Sequence, residues 1–287
     1  MDIALARTFL EVVAQGSFVA AARKLHLTET AISARIRRLE DQLDTILFSR
    51  LPAGAVLTVA GERFVPHASS MLRVWERARQ ELALPVGRKA MVVLGCEASL
   101  WDPLLLDWLG WMGEHAPELA VRTEVRSAPD LIGQITHGTL DIAIVYAPHH
   151  QPGLSVELLV EEKLVLVSTS AQAHAPDPAR HVSVDWGHDF AEQHALAYPD
   201  QARPAVTSDF GPLALAYILR TQGTGYFRLS AVQPYLAAGR LHLVPHAPQF
   251  AYPAYAAYAS GANETLLAQA LEGLRHAARA LPGCGRA

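Results

Sequence analysis

The chain has 287 residues, 51% of them hydrophobic and 18% charged, with a formal net charge of -4. That length suits about two domains with sizeable cores, and apolar runs such as "LLVEEKLVLV" are broken by charge well short of the ~20 residues that cross a bilayer, which excludes a helical membrane span. The charge is uneven, +4 over residues 1–89 and -8 over the rest, the balance of a basic nucleic-acid-binding head on an acidic body. The opening "MDIALARTFLEVVAQ" carries an acid at position 2 where a secretory signal would carry basic residues before an apolar block, so a cytoplasmic protein is expected. Cys96 and Cys284 lie far apart without CxxC spacing and read as reduced, structural thiols.

From the N-terminus, Leu5, Phe9, Val12 and Val13 recur at helical spacing until Gly16 stops the helix and Ser17 caps the next. That second helix turns Phe18, Ala21, Ala22 and Leu25 inward, and its alanines let a neighbour cross closely. Thr28 caps a third helix with an inward stripe of Ile32, Ile36, Leu39 and Leu43. Its outer face is Thr30, Ser33, Ala34 and Arg37, with Thr28 and Glu29 at the tip and Arg35 and Arg38 on the flanks. Two helices joined by a tight turn, the second polar outside and basic at its flank, form a helix-turn-helix whose second helix enters the major groove of double-stranded DNA. Arg37 is the candidate for base contacts, and Arg35 and Arg38 lean towards phosphates and packing. A generic helical hairpin explains the apolar stripes but not the polar tip with its basic flank.

Residues 48–50 and 55–57 can pair around "LPAG" as a wing flanked by Arg50 and Arg63. Thr58 then caps a helix to about Leu84 with Phe64, Ala68, Met71, Trp75, Ala78 and Leu82 at alternating spacings of 4 and 3. Such a narrow seam predicts self-association with a second copy, as homodimer or homotetramer; the alternative is packing on the chain's own head. "FLEVVAQGSFVAAARKLHLTETAISARIRRLEDQLDTILFSR" followed by "LTVAGERF" resembles the N-terminal signature of LysR-type transcriptional regulators almost continuously over residues 3–65. "EASLWDPLLLDWL" resembles one branch of that family. Three positions depart from it: Glu29 stands where the family usually has Gln, Asp44 where it often has Gly, and the wing sequence "LPAGAV" has no basic residue.

Pro85 and Gly87 mark a hinge. Beyond it strands and helices alternate, which predicts an α/β domain with largely parallel sheets in two lobes, periplasmic-binding-protein-like. The expected division is a winged helix-turn-helix head at 1–58, a linker helix and hinge at 59–87, and a regulatory domain at 88–287. Within it, lobe I takes about 90–161 plus 264–287, and lobe II about 162–263. The resemblance implies a small-molecule effector bound between the lobes. Open α/β sheets bind ligands beyond the carboxyl ends of their strands. The first-lobe candidates are therefore Ala98, Ser99, Leu100 and Trp101 after the strand ending at Cys96, at a helix start whose amides would favour an anionic or polar group. His149 and His150 lie near the same rim. From the second lobe come Ser208, Asp209, Tyr226 and Arg228, the last two in "GTGYFRLS", the turn the family commonly uses for its effector.

Catalytic and metal motifs do not emerge: there is no GxSxG, HExxH or P-loop, and His181, His188 and His194, spaced by 7 and 6, match no metal-ligand pattern. No cofactor is expected. The reading is a sequence-specific regulator binding a DNA operator and a small effector, and not an enzyme. Its rivals are a two-lobed solute-binding protein or enzyme whose N-terminal part only dimerises, and a nonspecific DNA-compacting protein.

Overall fold

A computed structural model describes residues 2–51, 54–148, 153–173, 180–199, 204–260 and 264–281. In the head, α1 (Ile3–Gln15) ends on Gly16 in the left-handed conformation. The Ser17 hydroxyl accepts from the Ala20 amide at the start of α2 (Phe18–Leu25), and Thr28 accepts from Ala31 at the start of α3 (Glu29–Leu43). Asp44, the family's frequent glycine, holds that left-handed position at the end of α3. The expected stripes face the core: Val13, Phe18 and Leu25 are half-buried, Leu43 at the last turn is exposed, and the rest are buried. Strands β1 (Phe48–Leu51) and β2 (Gly54–Leu57) pair antiparallel, Phe48 opposite Leu57, and form the wing. Fully buried Phe9 centres the head core, its ring 5.3 Å from Phe48 and 5.1 Å from Phe64, so truncating it would cost about 3–5 kcal/mol.

Helix α4 (Val59–Leu82) corrects one expectation, because its seam splits in two. Phe64 and Ala68, with Leu72, are buried in the core of the chain's own head, where α4 crosses α1. Only farther along do Trp75, Ala78 and Leu82 stand exposed, together with Val74. Glu76, itself buried, ties the crossing by accepting from Arg7 at 2.8 Å and Arg79 at 3.0 Å.

Lobe I contains β3 (Ala90–Cys96), α5 (Leu106–His115), β4 (Leu119–Val125), α6 (Ala128–His137), β5 (Ile142–Val145) and β6 (Leu154–Val160). The chain then crosses into lobe II, comprising β7 (Lys163–Ser168), β8 (His181–Val184), α7 (His188–Ala197), β9 (Val206–Ser208), α8 (Gly211–Thr221), β10 (Thr224–Arg228), α9 (Leu229–Ala237), β11 (His242–Leu243) and β12 (Phe250–Ala251). It returns through β13 (Ala254–Ala259) and α10 (Glu264–Ala280). The sheet orders are β4-β3-β5-β13-β6 and β11-β7-β10-β8-β9, with β12 also on β7.

Both sheets are mixed rather than largely parallel. Strands linked by a crossover helix run parallel, whereas β13 and β7, which carry the chain between lobes, pair antiparallel with their neighbours. Residues 254–259, expected in lobe II, pair with β5 and β6 and so belong to lobe I's sheet. The amphipathic α10 packs on lobe I, where the Trp108 indole donates to the Ala270 carbonyl at 2.9 Å.

The head sits on lobe I through α6. Lys24 meets Asp130 at 3.1 Å, and buried Glu11 faces His137 at 3.7 Å. Burial lowers the His137 pKa, so at neutral pH that contact is one of packing rather than charge. Gly138, at φ +73, lets α6 end against α4: a Cβ there would lie 2.6 Å from the Arg73 Cα. Gly138→Ala should therefore lower stability by about 1–3 kcal/mol in chemical denaturation. The control is Gly133→Ala in the same helix, where a Cβ meets open space; it should stabilise by about 0.5–1 kcal/mol. Equal effects of the two would mean that the seat is not a packed contact.

Candidate nucleic-acid interface and ligand cavity

At the tip of α3, Thr28, Glu29 and Thr30 are exposed, and Ala34, Arg37 and Arg38 continue the exposed face along the helix, with Ser33 half-buried. Glu29 occupies the first turn, where an acid complements the positive end of the helix dipole by about 0.3–1 kcal/mol. Arg35 departs from the other arginines: half-buried, it donates to the Thr8 hydroxyl of α1 at 3.3 Å and ties the recognition helix to its support. Arg63 is exposed at the start of α4, and Arg50 lies on β1, its side chain outside the described part. Ser17 is half-buried and engaged as a cap. The wing is braced from behind, since the Glu40 carboxylate accepts from the Leu47 and Phe48 amides and Gly16 accepts from Ala55.

Between the lobes, two of the expected ligand residues, Arg228 and Ser99, are engaged by other side chains and backbone of the chain. Arg228, buried at the end of β10, reaches out of lobe II and donates to the Asp102 carbonyl of lobe I at 2.8 Å. Its charge is balanced by Glu162, equally buried on the first crossing at 3.6 Å, and Ser230 donates to the same carboxylate. The Tyr252 amide, on the return crossing, donates to the Glu162 carbonyl at 2.8 Å. The Ser99 hydroxyl lies 3.1 Å from that of Tyr146, whose amide donates to Glu97. Leu100 is core, Ala98 is half-buried, and Trp101 is exposed on the rim.

The anion-favouring helix start expected after Cys96 is not formed. A turn from Glu97 to Leu100 and the cis Asp102–Pro103 bond intervene, and the regular helix begins at Leu106. Pro103 cannot donate to a helical ladder and Asp102 is extended at φ -124, ψ 125. Beside Arg228, burial pushes the Cys96 thiol up to about 12, so it is no thiolate at neutral pH. His149 and His150 lie outside the described residues, as does Cys284.

A cavity of about 590 Å³ opens instead within lobe II, at the carboxyl ends of β8 and β9. Ser208 and Asp209, named as candidates for a cleft between the lobes, line this cavity, joined by Asp185, Trp186, Phe190 and His194, which the sequence did not single out for it. The signal was present in "SVDWGHDF", a strand running into a helix, the place where α/β sheets bind. Tyr226 does not line the cavity. Fully buried beneath it, Tyr226 donates to the Pro248 carbonyl at 3.0 Å and packs edge-on against Phe190 and His194. The three histidines weighed as metal ligands do not converge: His181 pairs with the Thr224 hydroxyl and stacks 6.4 Å from the ring of His194, which joins the aromatic cluster, while His188 pairs with Glu192.

A helix-turn-helix head joined by a long helix to a two-lobed α/β domain defines a DNA-binding regulator with a small-molecule sensor. The family models bear this out. Residues 3–62 match the bacterial regulatory helix-turn-helix protein, lysR family, and residues 87–278 match the LysR substrate binding domain. The chain belongs to the LysR family of transcriptional regulators. It is 30% identical over 270 residues to the HTH-type transcriptional regulator HdfR of Escherichia coli O139:H28, covering 93% of this chain and 95% of that protein. Full-length LysG of Corynebacterium glutamicum with bound effector Arg shares its fold, with a TM-score of 0.61 at 20% identity over 97% of this chain and 98% of that one. ArgP of Mycobacterium tuberculosis gives 0.59 at 20% identity over 98% of both chains. Among the described residues no helix is long and apolar enough to cross a membrane.

Burial beneath the cavity has a measurable consequence. It lowers the His181 pKa from 6.5 to about 4, with nearby His194 adding to the shift. A histidine held neutral in the fold binds fewer protons than in the unfolded chain, so its contribution is intact above pH 6.5 and is lost as pH falls towards 4. By pH 5 the loss is roughly 2 kcal/mol. His181→Asn removes this titration, so the stability difference between the two proteins should shift in the variant's favour by that amount from pH 7.5 to 5 in urea denaturation. A pH-independent difference would contradict a buried neutral His181.

Proposed function

We propose that the chain binds its operator in the cytoplasm as a homodimer, or as a pair of dimers, and sets the tip of α3 in successive major grooves. The observation that carries this reading is the division of labour among the α3 arginines: Arg37 and Arg38 stand at the exposed face while Arg35 is spent on Thr8. Arg37 reads a base edge, with Thr30, Ser33 and Ala34 alongside it, and Arg38, Arg50 and Arg63 neutralise phosphates. Glu29, where the family usually carries glutamine, accepts from a cytosine N4 amine and disfavours a misplaced phosphate. Dimerisation uses the outer stretch of α4, where Val74, Trp75 and Leu82 are exposed at 71%, 47% and 92%. A small effector bound in the two-lobed domain shifts the heads relative to one another and so alters how the operator is spaced or bent.

Selection from random DNA followed by a salt series tests this reading. A motif should emerge, and affinity should fall steeply with salt. Arg37→Ala should cost about 1–3 kcal/mol and relax one position of the motif, while Arg35→Ala lowers stability and leaves the motif unchanged. Glu29→Gln should change preference at one base pair; uniform tightening on every sequence would reduce Glu29 to a helix-end charge. Absence of DNA retention at low salt contradicts the whole reading.

A further inference from the structure

The charge and shape of the lobe II cavity select a class of ligand. Its lining comes from three elements: the end of β8 gives Ser183, Asp185 and Trp186, α7 gives Phe190 and His194, and the end of β9 gives Ser208 and Asp209. Among the described residues that line it, the charged side chains are the carboxylates of Asp185 and Asp209, with no lysine or arginine. His194 adds no positive charge at neutral pH, because burial lowers its pKa. On the same helix Asp189 and Glu192 add acid, with His188 paired to Glu192 at 3.0 Å.

Two effects oppose a cation, and both are weaker. Helices α7 and α8 begin at the cavity, and each N-terminus carries the equivalent of about half a positive charge. Both ends are already partly answered: the Gly187 amide donates to Asp185 at 2.9 Å and the Phe210 amide to the Ser208 hydroxyl at 3.1 Å. Two full negative charges therefore outweigh two partly quenched half-charges. The nearest buried cation, Arg228, is committed to Glu162 and Asp102.

Two aromatic walls complete the site. The Trp186 indole is held by its donation to the Tyr226 carbonyl at 2.9 Å, and the Phe190 ring stands at 89° against Phe250 with centroids 5.2 Å apart. Rigid aromatic faces beside carboxylates suit a cationic head on an apolar body.

We propose that this cavity recognises an organic cation, an ammonium or guanidinium group on an apolar stem, held between Asp185 and Asp209 and packed on Phe190. The proposal rests on the reading of this domain as an effector sensor and gives that sensor its ligand class.

Titration calorimetry on the full chain tests it with agmatine, cadaverine and tryptamine as cations and succinate and benzoate as anions. At least one cation should bind with a Kd below about 1 mM, and Asp185→Asn and Asp209→Asn should each weaken it about tenfold. The side-chain amide introduced by Asp185→Asn still offers an oxygen to the Gly187 N–H, so the unliganded variants should melt with the parent. Cation binding that ignores both substitutions, or no cation binding at all, overturns the proposal. Of these failures, one in which succinate or benzoate binds and quenches tryptophan fluorescence leaves the effector reading standing with the ligand class reversed. Silence of all five probes counts against both.

Discussion

A guanidinium buried at a joint between two lobes has to be neutralised where it lies, because an unpaired charge taken out of water costs several kcal/mol. Arg228 meets that constraint with groups from three parts of the chain: Glu162 on the first crossing, Ser230 just beyond its own strand, and the Asp102 carbonyl from lobe I. The two crossings are joined at the same point, where the Tyr252 amide meets the Glu162 carbonyl. Tyr252 then packs on Tyr146 of lobe I and Trp186 of lobe II, with ring centroids 4.0 and 5.4 Å away. Arg228 and Tyr252 together tie each lobe to the other at this joint.

That joint has consequences in both directions. Towards the head, lobe I carries α6, and α6 carries α1 and α4, so the DNA-binding unit is seated on the lobe that holds Asp102. Towards the ligand, Trp186 belongs both to the wall of the cavity and to the packing around Tyr252. A molecule pressing on Trp186 thus acts on a side chain that already touches the hinge. Population shift needs such a differential contact, since a ligand that binds two arrangements equally moves neither.

The head was legible in the sequence almost residue by residue, because its signals are local: caps at Ser17 and Thr28, a glycine stop, and stripes at helical period that bury one face. The two-lobed class was legible for the same reason, as alternating apolar strands and helices. Long-range pairing was not. Nothing local marks 254–259 as a strand of lobe I or reveals that half of the α4 seam faces its own head. In both cases the partner lies far away in the chain.

The effector candidates divide along the same line. Ser208 and Asp209 were named because strand ends are where α/β sheets bind, and a cavity opens beside them. Arg228 sits at a strand end too and Tyr226 two residues before it, yet burial turns one into a structural cation and the other into core. Glu162 was passed over as a polar interruption in an apolar run. A carboxylate between two buried strands is a signal in retrospect, because burying it demands a cation, and only the fold says which one.

The central claim is that Arg228 and Glu162 form one buried unit joining the lobes, and a double-mutant cycle measures this directly. Arg228→Gln, Glu162→Gln and the double variant, unfolded in urea beside the parent, should give a coupling energy of about 1.5–3 kcal/mol, with the double variant less damaged than the sum of the singles. Effects additive within about 0.5 kcal/mol would mean that the two groups do not depend on each other and that the lobes are held by something else.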